Sequence, residues 1–202
     1  MTDLRQAVNT HSRIVLSLRP EEPRDREFLA RLFASTREQE MQLTGWTSEQ
    51  QAAFLSMQFQ AQTMHYNRIY AGAARCIVLV DDNPAGRLYV FQGGGELRIV
   101  DISLLPQYRG RGVGTTVLRS VIDQAESAGL CVSLNVAVFN PARRLYEQLG
   151  FQQTGPGDGV YLPMRRRAKS GCRVIPEFEH HRTVVQFNLS YLILRERFPP
   201  TS

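Results

Sequence analysis

The run Gln107-Tyr108-Arg109-Gly110-Arg111-Gly112-Val113-Gly114-Thr115 places three alternate glycines where a strand-like segment gives way to a helical pattern. Glycine has no Cβ, so the backbone can come close to a ligand there. The first turn of a helix presents unpaired N–H groups and a partial positive charge, which together form a seat for phosphate. The segment is therefore a candidate pyrophosphate cradle. It is not a Walker loop, because no lysine precedes Thr115. Nor is it the dinucleotide fingerprint, because the spacing is Gly110-x-Gly112-x-Gly114.

A second segment, Asn140-Pro141-Ala142-Arg143-Arg144-Leu145-Tyr146-Glu147-Gln148-Leu149-Gly150-Phe151, reads as one short helix. Asn140 suits the N-cap, Pro141 the first helical position and Gly150 a left-handed C-cap. The first segment fits Arg/Gln-x-x-Gly-x-Gly/Ala in two registers, from Arg109 and from Gln107. That pattern, followed downstream by Asn140, Tyr146 and Leu149-Gly150-Phe151, resembles the motifs of the GCN5-related N-acetyltransferases (GNAT). The resemblance covers about residues 14–166.

The resemblance implies that acetyl-CoA is bound as co-substrate and that no metal takes part. Main-chain groups of Ile102 and Leu104 would hold pantetheine, and an N–H near Leu104 would stabilise the oxyanion. Backbone amides of Arg109, Gly110, Arg111, Gly112, Val113, Gly114 and Thr115 would take the pyrophosphate. The side chains of Arg111, or of Arg143 and Arg144, would reach outer phosphates or simply face solvent. Asn140 either contacts the cofactor or only caps its helix. Tyr146 is the expected general acid, since a phenol can protonate a departing thiolate; a core tyrosine packed on Phe151 is the alternative. Some family members carry a glutamate base on the strand before the cradle, and the matching position here is Arg98. Asp101 is the substitute candidate, although a carboxylate among Ile99, Val100 and Ile102 is costly unless partnered. A water chain without a dedicated base is also open.

These groups need a scaffold. Apolar alternation and turn residues predict strands at about 14–18, 76–80, 86–91, 97–105, 131–138, 151–154 and 160–164, with a turn at Asp82-Asn83-Pro84. Helical spacing places Phe28, Leu29, Leu32 and Phe33 on one helix. Thr47 and Gln50 form a capping box that opens a second helix running to about Tyr66. Val117, Leu118, Val121, Ile122 and Ala125 give a helix face closed by Gly129. The predicted class is α/β: a mixed central sheet with helices on both faces, the fold the resemblance also implies. The acceptor side falls to the N-terminal helices, with Gln58, Gln62 and Tyr66 on the second and Arg37 before it. Residues 1–167 form the expected catalytic domain and residues 168–202 an extension of unassigned role.

The chain has 202 residues and a net charge of +5, enough for one full core. No apolar run is long enough to span a bilayer and residues 1–13 lack a signal pattern, so a cytoplasmic protein is the default. Cys76, Cys131 and Cys172 are an odd number without metal spacing, which argues for buried or free thiols over a disulfide framework. The adjacent pair His180-His181 does not share one face of an element and is read as solvated. The positive charge suits an anionic cofactor; nucleic acid is disfavoured because interleaved basic and aromatic arrays are absent. Three functions follow in order: an N-acetyltransferase acting on a primary amine of a small molecule or peptide by direct attack in a ternary complex, a non-catalytic acyl-CoA-binding module, and a nucleic-acid-associated protein. A homodimer is possible because edge strands can pair.

Overall fold

The computed structural model describes residues 15–169 and residue 171. The start of the first predicted strand at Ile14, Cys172, His180-His181 and the alternating segment from Val174 lie outside the described residues.

Seven strands form one sheet in the order β1-β2-β3-β4-β5-β7-β6. In chain order they are β1 (Leu16–Pro20), β2 (Ala74–Val80), β3 (Asn83–Gly93), β4 (Glu96–Leu104), β5 (Cys131–Ala137), β6 (Gln152–Gln153) and β7 (Tyr161–Arg166). Only β4 and β5 pair in parallel; every other neighbouring pair is antiparallel. The helices are α1 (Arg26–Ser35), α2 (Glu38–Gln42), α3 (Ser48–Ile69), α4 (Val113–Ser127) and α5 (Arg143–Gln148).

Helices cover both faces of the sheet, as the apolar pattern requires. Val117, Leu118, Val121, Ile122 and Ala125 of α4 pack on Leu97, Ile99, Val132 and Leu134. On the opposite face, Phe28, Leu29, Leu32 and Phe33 of α1 join Phe59 of α3 over Ile77.

The structure departs from the sequence expectations at element ends. A short helix that the apolar spacing did not mark, α2, lies between α1 and α3. Thr47 and Gln50 do form the reciprocal cap of α3, but the helix runs on to Ile69. The turn between β2 and β3 is Asp81-Asp82, both with positive φ (49° and 61°), rather than Asp82-Asn83-Pro84. Two left-handed central residues match the right-handed strand twist, and aspartate tolerates that conformation. Helix α5 begins at Arg143, not Asn140, because the Asn140 Oδ1 accepts the Ala142 N–H (2.9 Å) in a turn that precedes it. Cys131 is disulfide-bonded, against the expectation of a buried thiol, whereas Cys76 is free.

Candidate active site

The cradle starts from a turn at Pro106–Tyr108. The Arg109 N–H donates to the Pro106 carbonyl (3.1 Å), so the open run of amides begins at Gly110. Gly110 and Gly112 have φ of +70° and +81°, and a Cβ on either would meet nothing within 4 Å. Their requirement is therefore backbone conformation, and the space beside them is vacant on the protein side. Gly112 is the N-cap of α4. The first backbone bond of that helix runs from the Thr116 N–H to the Gly112 carbonyl (3.0 Å). Among the described residues the N–H groups of Val113, Gly114 and Thr115 thus have no partner, which is the state a phosphate seat needs. Gly114 differs: its Cβ would make an ordinary contact with Leu104 at 3.6 Å.

The Arg109 side chain turns back from the cradle. Its Nε donates to the Leu104 carbonyl (2.8 Å), and its Nη2 lies 3.3 and 3.2 Å from the Ser35 carbonyl and hydroxyl at the end of α1. One guanidinium therefore ties the end of β4 to α1. Arg111 is exposed and reaches only the Gln107 carbonyl, at 3.5 Å. Arg143 pairs with Glu147 at 2.9 Å.

Beside the cradle the sheet opens. The parallel pairing of β4 and β5 runs from Glu96–Cys131 to Ile99–Leu134 and stops, although both strands continue. The separation coincides with a bulge: Asp101 faces Tyr89 and Ile99 faces Val90, so Val100 is an extra residue in β4. A bulge bends its strand and raises local twist, which carries β4 away from β5. The Leu105 N–H donates to Ala85 on the β3 side (2.8 Å). By strand alternation the main-chain groups of Ile102 and Leu104 then face the gap.

The bulge also decides where Asp101 goes. Leu97 and Ile99 point toward α4. The extra residue shifts the phase, so Ile102 and Leu104 take up that direction and Asp101 turns toward α3. There its Oδ2 accepts from Arg87 (2.6 Å) and from the Tyr66 hydroxyl (3.0 Å), and its Oδ1 from the Ser103 hydroxyl (2.7 Å). Arg87 also donates to the Gln62 Oε1 (2.7 Å). Arg87 is 3% exposed and Asp101 9%. Burial by itself would lower the Arg87 pKa, but the Asp101 charge and hydrogen bond, together with Tyr66 and Tyr89, more than offset it and the guanidinium stays protonated.

Tyr146 is buried against Phe151, ring edge to face at 5.9 Å. Burial, with a smaller contribution from the Asp101 charge, pushes its hydroxyl up to about 12. It is thus a protonated phenol throughout the neutral range. Tyr161, at the start of β7, is also raised by burial, with Arg37 opposing and Glu40, Asp158 and Asp101 adding to it. Those charges all act on the Tyr161 hydroxyl. Arg37 lies 3.4 Å from Glu40 and over the Phe33 ring at 5.4 Å.

The structure therefore joins Gln62, Tyr66 and Asp101 in one hydrogen-bonded network through Arg87 and buries Gln58 one turn earlier on α3. Arg98 bonds to Tyr70 (3.2 Å) on the same face. Sequence reasoning missed Arg87 and Tyr161. A lone arginine immediately before the apolar run Leu88-Tyr89-Val90, matched by a lone aspartate in the next strand, was the available signal for the first. Among the described residues no group of three or more His, Cys, Asp or Glu side chains could hold a metal, and no helix is long and apolar enough to cross a membrane.

A model of the acetyltransferase (GNAT) family matches residues 27–151. The thialysine N-epsilon-acetyltransferase of Mus musculus is 33% identical over 75 residues, covering 36% of this chain and 44% of that protein. The chain spans about half the length of the curated relatives it matches. Among solved structures, the PaiA N-acetyltransferase of Thermoplasma acidophilum in complex with coenzyme A superposes with a TM-score of 0.59 at 15% identity, covering 76% of this chain and 99% of that one. Ard1 of Thermoplasma volcanium gives 0.53 at 19% identity, covering 76% and 97%. At such identities these two likenesses establish the fold alone.

Proposed function

This chain belongs to the acetyltransferase (GNAT) family, and from that premise we propose that it transfers the acetyl group of acetyl-CoA to a primary amine of a small molecule or peptide, by direct attack in a ternary complex. The observation that carries the reading is the conjunction of two features. One is the open amide run at Gly110–Thr115. The other is the gap where β4 leaves β5 beyond Ile99 and Leu134.

Acetyl-CoA supplies an acyl group already activated as a thioester. The chain's part is to hold, orient and move protons. The amides of Gly110, Arg111, Gly112, Val113, Gly114 and Thr115 hold the pyrophosphate. The main chain of Ile102 and Leu104 pairs with pantetheine as a strand would, and the Leu104 N–H faces the thioester oxygen as it gains charge. Asn140, in the turn that follows β5, closes the pantetheine side. As the C–S bond breaks, Tyr146 gives its proton to the leaving sulfur. Burial keeps this phenol protonated, so the proton is present to be shared with the sulfur as charge develops on it.

The acceptor enters from the α1–α3 side, lined by Arg37, Gln58, Gln62, Tyr66 and Tyr161. Three donors already occupy the Asp101 carboxylate, so it acts on the amine through its charge and by fixing the pocket floor. The amine proton then leaves by water.

The test is thiol release from acetyl-CoA over a panel of amino acids, polyamines, aminoglycosides and short peptides, run beside Tyr146→Phe. Turnover with one acceptor class, reduced about a hundredfold or more in kcat by the substitution with acetyl-CoA affinity unchanged, is the expected result. Saturable acetyl-CoA binding without turnover on any amine would move the reading to a non-catalytic acyl-CoA-binding module.

A further inference from the structure

We propose that the outward face of α3 is the surface through which two copies of this chain pair, antiparallel about a two-fold axis. The proposal does not depend on the acetyl-transfer reading.

Helix α3 has two apolar faces. Gln58, Phe59, Gln62 and Tyr66 are buried against the sheet and α1. On the far side Phe54, Met57, Ala61 and Met64 recur at spacings of three, four and three residues. That is the narrow stripe by which one helix seats against another. Met57 is 58% exposed and Met64 66%, while Phe54 and Ala61 are half-buried. Trp46 extends the stripe, its ring edge-on to Phe54 at 5.1 Å.

The helix also lacks charge. From Gln50 to Asn67 there is no Asp, Glu, Lys or Arg, in a chain that is 21% charged. A solvated helix face ordinarily carries charged residues. Exposed methionine and aromatic side chains without charge are the composition of an interface centre.

The occupant follows from symmetry. A two-fold axis near residue 59, perpendicular to α3, sets Phe54 against the partner's Met64 and Met57 against the partner's Ala61. Large thus meets small at the inner positions. The same operation brings Glu49, in the first turn, beside the partner's Arg68, in the last. The two charges that bound the neutral stretch are therefore complementary only when the helices run antiparallel. A surface that matches itself under one rotation forms a closed pair.

The test is sedimentation equilibrium of the full chain across low to high micromolar concentrations. The expected mass is twice 22.9 kDa. Met57→Glu with Met64→Glu should give a monomer with unchanged circular dichroism. Glu49→Arg alone, or Arg68→Glu alone, should weaken the pair roughly several-fold, and the double swap should restore it. The proposal is overturned by a wild-type chain that stays monomeric, by a dimer that survives both glutamates, or by a double swap no tighter than the singles.

Discussion

Asp101→Asn tests the centre of the site. The replacement keeps size and shape but removes the charge that balances Arg87, 2.6 Å away and almost fully buried. Breaking a buried pair by removing one partner costs about 3–5 kcal/mol, because the remaining ion is left uncompensated in a poorly solvating interior. For a chain of this size each kcal/mol moves the melting temperature by about 2–4 °C, so a fall of about 6–20 °C is expected. The companion Arg87→Met/Asp101→Leu removes both charges and should recover most of that loss. Thermal unfolding by circular dichroism measures both. Acceptor KM should rise in Asp101→Asn while acetyl-CoA affinity holds, since the open amides lie on another segment. An Asp101→Asn protein that melts within about 2 °C of wild type would refute the ion-pair argument. Intact melting with a collapse of kcat would instead make Asp101 the acceptor of the amine proton.

Gly86→Ala would place a Cβ 2.2 Å from the Ser103 carbonyl oxygen and 2.6 Å from a Leu104 methyl; it should cost about 1–3 kcal/mol in denaturant unfolding and weaken acetyl-CoA binding by calorimetry, because β4 must shift beside the gap. Gly112→Ala has room but the wrong φ, so a strain of about 1–2 kcal/mol should appear as roughly tenfold weaker acetyl-CoA binding, whereas Gly114→Ala should leave the melting temperature unchanged. The Asp25 carboxyl, hydrogen-bonded by Arg19 at 2.7 and 2.6 Å, is held below its ordinary value of 3.8. Its stabilisation is full above that value and is lost as pH falls through the lowered one, so Arg19→Gln should be less stable than wild type at neutral pH, and the difference should shrink as the solution is acidified below the ordinary value. With Tyr146 held at about 12, kcat should show no alkaline loss from this group below about pH 11.

The glycine turn that opens α4 was legible because its demands are local. Glycines that need positive φ at Gly110 and Gly112, followed by a helix start, write themselves into adjacent residues. The reciprocal cap of Thr47 and Gln50 was legible for the same reason. The start of α5 was not, because Asn140 can cap a helix directly or form a turn two residues ahead of one, and the choice depends on how the chain leaves β5. The Arg87–Asp101 pair joins residues on neighbouring strands, and a single sequence does not show which of its polar positions face each other. Tyr161 was hidden likewise: the charges acting on it come from α2 with its N-cap (Arg37 and Glu40) and from β4 (Asp101), far from it in sequence.

The extra residue at Val100 has a consequence for exchange of segments between relatives. Upstream of it β4 sends odd-numbered side chains toward α4, and downstream even-numbered ones. A chimera that joined β4 to the corresponding strand of a protein lacking the bulge would exchange interior for exterior along the whole downstream half. Asp101 and Ser103 would enter the apolar layer, and Ile102 and Leu104 would line the pocket. Point substitutions in this strand are thus gentler than a one-residue deletion, and grafts should break at Ile99 or earlier to keep the frame.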